Sequence, residues 1–107
     1  MTDEGLYAVI RERGPAWNTE LDLREQVAWE EHAVFMDGLV ADGFVVKGGP
    51  LGGGERVLLI VRADDDGAVH QRLLRDPWSR SNLLVTASID PWTILLDGGA
   101  IEEPDAG

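Results

Sequence analysis

Between Arg24 and Asp42 the apolar residues recur at helical spacing, and on either side of that segment they do not. Ala28, His32, Phe35 and Leu39 fall on one line at i, i+4, i+7 and i+11, with Trp29, Ala33, Met36 and Val40 on the line beside it. Two adjacent lines predict a helix with a wide buried face, stopped by Gly43. The flanking runs have a different period. "LYAVIRER" (6–13) alternates, and "FVVKGGPL" (44–51) and "RVLLIVRA" (56–63) are rich in strand-forming residues. A chain that switches period in this way is an α+β chain.

The remaining segments complete the order. "GPAWNTELDL" (14–23) reads as a connection longer than usual, one that covers something. The glycines of "GGPLGGG" predict a hairpin-like link between the second and third strands. "DDDG" (64–67) offers a cap and early negative charge to a second helix over 68–76, which "DPW" closes because a residue before proline leaves helical geometry. Residues 83–96 predict a fourth strand with Pro91 at an edge or bulge. The order is β-α-β-β-α-β, the ferredoxin-like arrangement, in one domain over 1–97 with an acidic tail over 98–107. With both helices on one face of an antiparallel sheet, the other face needs cover. Two subunits packed sheet to sheet would supply it, so the expectation is a homodimer with a pocket in the intersubunit or helix–sheet crevice.

Composition narrows the function. The 107 residues are 44% hydrophobic, enough for a folded core, and their net charge of −11 argues against nucleic acid or an anionic membrane as partner. No cysteine is present, which removes disulfides, thiolate nucleophiles and zinc–thiolate sites. No apolar run approaches the roughly 18 residues of a membrane span, and the expected location is the cytoplasm. Several apparent motifs fail. The glycine run lacks a Lys-Ser/Thr pair and leads into a strand, so it is no phosphate loop. "RADDDGAVHQRL" has Arg62 and Leu73 where a calcium loop needs acids. His32 and His70 are too few for a histidine metal site, and Ser88 has no nucleophile-elbow setting. Neither metal nor cofactor is expected, and His70 reads as a surface residue.

His32 is the anomaly, an imidazole on an apolar face. It reads either as a core residue with a hydrogen-bond partner or as a functional group facing a pocket. Asp76 likewise reads as a turn-initiating residue or as that partner. Trp29 reads as packing, whereas Trp17 and Trp78, in loops beside proline, either fill space or wall a pocket.

Taken in order, "LYAVIRERGPAW", "EEHAVFMDGLVADGFVVKGGPL", "LLRDPW" and "ASIDPWTILL" resemble the YCII-related family, from Leu6 to Leu96. The resemblance implies a dimeric α+β barrel of ferredoxin-like subunits. It also implies a histidine–aspartate active site, whose matching residues are His32 and Asp76. One member of that family is a dehydrochlorinase of a chlorinated hydroxyhydroquinone. The Asp-Gly-Pro-Phe motif of the branch linked to sigma factors is missing, so that association is not carried over.

The residues suggest how such a pair would work. The topology sets the first helix beside the end of the second, within reach of an Asp76 fixed by its proline. The carboxylate would fix the imidazole tautomer and favour the protonated ring. Proton transfer by such a pair is worth about 10²–10⁴-fold in rate. The expected function is a cofactor-independent elimination or isomerisation of a small polar organic molecule. His32 would be base and acid, and Asp76 its orienter. Backbone at Gly49 and Pro50 would approach the ligand, and Tyr7, Trp17 and Trp78 would wall the pocket. The alternatives are a non-catalytic small-molecule-binding module, or a structural dimer with His32 wholly enclosed.

Overall fold

The computed structural model describes residues 4–99, and all but two residues of the expected acidic tail lie outside them. Four strands, β1 (Gly5–Arg13), β2 (Val45–Leu51), β3 (Arg56–Ala63) and β4 (Leu84–Trp92), form one antiparallel sheet in the order β2-β3-β1-β4. Three helices, α1 (Trp29–Ala41), α2 (Asp66–Leu73) and α3 (Pro77–Arg80), fill the intervals. The fold is a small α+β fold. Among the described residues no helix is long and apolar enough to cross a membrane.

Alternation along the strands decides what is covered. Val9, Leu59 and Val61 are paired neighbours pointing to one face, where they meet Leu39 of α1 and Val69 and Leu73 of α2. All six are essentially sealed from solvent, each burial worth about 1.5–3 kcal/mol. The alternate residues Leu6, Ala8, Leu58 and Ile60 line a groove of about 1070 Å³ on the opposite face, with Gly49, Pro50, Trp92, Ile94 and Leu96 along it. Both helices therefore cover the same face.

A second, smaller core consists of Trp78, Leu83 and Leu84, with Trp17, Ala28 and Trp29 packed on it. A bulge assembles it. The β1–β4 register shifts between Ile10 and Arg11, so Ile10 faces Ser88 while Arg11 faces Thr86. The extra residue changes the phase of β4, bringing Leu84 to the same face as Ile89.

Three boundaries differ from the sequence reading, each for a local reason. The first helix begins at Trp29 and not near Arg24, because Ala28 adopts left-handed geometry with φ of 61°. Ahead of it, the buried Gln26 amide spans the loop, accepting from Asn18 N–H and donating to the carbonyls of Asn18 and Leu21. Val40, assigned to the buried face, is 59% exposed, so that face is narrower than the spacing implies. The second helix ends at Leu73, and Asp76 opens α3 as its N-cap with Pro77 in the first turn. Strand β4 stops at Trp92, not at Leu96. Its partner runs out there, since Trp92 already pairs with Leu6 near the start of β1. Pro91 lies on this edge strand, where a missing N–H is tolerated.

Candidate functional site

Three elements deliver one side chain each to the boundary between the two cores. The bulged stretch of β1 points Arg11 at the helices, on the same face as Tyr7 and Val9. The α2–α3 junction presents Asp76, whose backbone N–H donates to Leu73 O at 3.1 Å. The first turn of α1 presents His32, whose N–H donates to Ala28 O at 3.0 Å.

These side chains meet at one carboxylate. Arg11 Nη1 donates to Asp76 Oδ2 at 2.8 Å, and the Trp78 backbone N–H donates to Oδ1 at 2.9 Å. His32 Nδ1 lies 2.9 Å from both oxygens. Arg11 Nη2 also donates to Ser79 Oγ at 2.5 Å, and that hydroxyl donates in turn to Leu73 O at 2.7 Å. The Asp76 side chain is wholly buried and that of Arg11 is 1% exposed.

Burial pushes the Asp76 carboxyl upward. The hydrogen bonds from His32, Arg11 and the Trp78 amide outweigh it and hold the group below its ordinary value. An ionised carboxylate only accepts hydrogen bonds. The proton between Asp76 and His32 therefore sits on Nδ1, and in the neutral ring the lone pair is on Nε2.

Aromatic rings fix the imidazole plane. Trp78 lies flat against it, with centroids 3.9 Å apart and planes 7° from parallel, while Trp29 is tilted against it at 6.0 Å. Trp78 is itself held. Its indole N–H donates to Val27 O at 2.6 Å, and the edge of Trp17 meets its ring at 5.6 Å. The long 14–28 connection thus covers Trp78 and, through it, His32.

The His32 side chain is 11% exposed. Among the described residues Nε2 has no hydrogen bond, yet the single buried side-chain polar atom without a partner is Arg11 Nε. Nε2 therefore reaches the surface. A ring oriented in this way can accept a proton at Nε2 and return it.

The residues singled out from sequence do not all converge. His32, Asp76, Trp17 and Trp78 come together. Tyr7 does not join them and packs against the larger core. Gly49 and Pro50 line the groove over the open sheet face. The expected single pocket is corrected accordingly: neither that groove nor the smaller cavity beside α2 is lined by His32 or Asp76. The cause is the alternation of the strands, which sends the glycine-rich β2 segment and the helix-side residues to different surroundings. His70 is exposed on α2.

Sequence reasoning missed Arg11 and Ser79. The signal for Arg11 was present, because alternation from Val9 puts residue 11 on the same face. Ser79 carried none. No family model matches the chain, nor does any curated protein or solved structure.

Proposed function

We propose that this chain is a YCII-related protein that carries out His32–Asp76 acid–base chemistry on a small polar organic molecule, by elimination or isomerisation. One observation carries the reading. A buried carboxylate holds Nδ1 of His32, which leaves Nε2 as the proton-accepting atom at the surface. His32 takes a proton from the ligand and returns it, and Asp76 keeps the ring in the working tautomer. Supporting the ferredoxin-like assignment are the sheet order β2-β3-β1-β4 and the helix following β1 and β3. The apolar groove over the open face supports a homodimer closed sheet to sheet.

The non-catalytic alternative has its own observation, since only 11% of the His32 side chain is exposed and neither cavity is lined by it. In that reading His32 gives a ligand one hydrogen bond and no chemistry. A library of phenols and hydroxy acids incubated with the protein in heavy water separates the two. Acid–base chemistry leaves deuterium or a new product in one compound, read by mass spectrometry. His32→Gln should slow that conversion by about 10²–10⁴-fold. Conversion at the wild-type rate by folded H32Q sinks the catalytic assignment, and a ligand recovered bound, unchanged and unlabelled favours the binding module.

A further inference from the structure

We propose that Arg11 is a positioning residue that keeps His32 uncharged, with its lone pair on Nε2, so that the ring acts first as a base. This rests on the reading of His32 as the working group, and it departs from the expectation that Asp76 favours a protonated ring.

Arg11 and Asp76 are 1% and 0% exposed, and they meet at 2.8 Å. The carboxylate is thus already matched by a full positive charge before the imidazole is considered. With a neutral ring the three side chains sum to zero. A second proton on the ring would leave one unmatched positive charge on a side chain only 11% exposed, beside a wholly buried ion pair, which is costly.

The surroundings offer little to offset it. One turn away from His32 stand the N-cap Ala28 and, on α1, Trp29, Phe35 and Met36, all apolar, while the first-turn acids Glu30 and Glu31 are exposed to water. From α3 the groups facing the ring are Asp76 and Trp78, and from β1 the guanidinium of Arg11 stands behind the carboxylate. Among the described residues, no carboxylate other than Asp76 is hydrogen-bonded to the imidazole. The Trp78 face attracts a cation, but a cation–π contact is weaker than the cost of an unmatched buried charge. Arg11 does not swing away to serve another acid. Ser79 Oγ holds its second amino group, and Nε is left buried without a partner.

The chain has two histidines, and His70 is exposed on α2, so His70→Gln leaves a single imidazole to observe. Nitrogen-15 spectra of the ring in H70Q at neutral pH should display one N–H nitrogen and one lone-pair nitrogen. In H70Q with Arg11→Met the lone-pair signal should be lost, with both nitrogens protonated. Arg11→Lys, which retains the charge, should restore it. A merely structural role for Arg11 would not make the proton count follow the charge at residue 11. Two protons on the ring in H70Q overturn the proposal without any Arg11 variant, so a poorly folding R11M does not spare it. An unchanged proton count in folded R11M also overturns it. Loss of the catalytic reading through an active H32Q protein would leave these spectra as they are, so the two failures are separable.

Discussion

Three donors reach the two oxygens of Asp76 from three elements of the fold, Arg11 on β1, His32 on α1 and the Trp78 amide on α3. The same residue caps α3 and orients the imidazole, so the capping and partner readings of Asp76 describe one geometry. Its removal should be felt as a buried charge left alone. Asp76→Asn strands the Arg11 guanidinium, and the expected loss is about 3–5 kcal/mol of unfolding free energy at neutral pH, read by urea titration. That loss should depend on pH. A carboxyl held below its ordinary value of 3.8 binds a proton less readily folded than unfolded. It therefore contributes stability above that value, and the contribution fades as pH falls through the lower folded-state value. Wild type and D76N should converge in strong acid. A gap of constant size at every pH would show that the carboxylate's ionisation is not what stabilises the fold. His32 and Asp76 were legible in the sequence because an imidazole on an apolar stripe and an aspartate before proline are local anomalies. Arg11 was not. Alternation puts residue 11 on the face of Val9, but Leu6, Ala8 and Ile10 are the apolar set on the other face of β1, so the period did not by itself say which face meets the helices.

Strand and helix types followed from hydrophobic period, and β3 ran over the residues expected. The boundaries that moved depended on partners distant in sequence. Nothing local announces that β4 must end where β1 begins, or that Gln26 ties the 14–28 connection back to Asn18. Glycines of equal appearance also differ by position. Gly14, where the chain leaves β1, donates its N–H to Leu83 O at 2.8 Å, and a Cβ there would stand 2.2 Å from the Asn82 carbonyl oxygen. That neighbour is backbone and yields only if the turn before β4 shifts, taking with it the loop that carries Trp17. Gly14→Ala should cost about 1–3 kcal/mol, the range for overpacking. Gly53 is the control, since a Cβ there meets nothing within 4 Å and the residue lies outside the groove lining, and Gly53→Ala should be nearly neutral. Equal midpoints for the two variants in denaturant would mean that the Gly14 contact relaxes freely and does not hold the loop.

At the scale of the molecule, one sheet has helices on one face and an apolar groove on the other. Beyond β4 the chain continues with Leu95 and Leu96, 86% and 94% exposed, the second of which lines that groove. Exposed apolar surface of this kind is where another molecule commonly docks, and a second copy is the proposed occupant. Charge sets how such a contact must respond to salt. Each chain carries −11, so two copies repel at long range, whereas the groove is mainly apolar, with Lys47, Arg62 and Asp97 as its charged residues. Salt screens the repulsion over a Debye length of about 10 Å at 0.1 M and leaves the apolar contact intact. Association through this face should therefore tighten as salt is added, which separates it from a contact made of exposed ion pairs. Ile60→Glu places a charge in the groove, on the face away from His32, and should give a folded monomer by light scattering with an unchanged imidazole spectrum. A wild-type protein that stays monomeric at high micromolar concentration in both low and high salt would mean that no second copy covers this face. An I60E dimer as tight as wild type would place the contact elsewhere on the molecule.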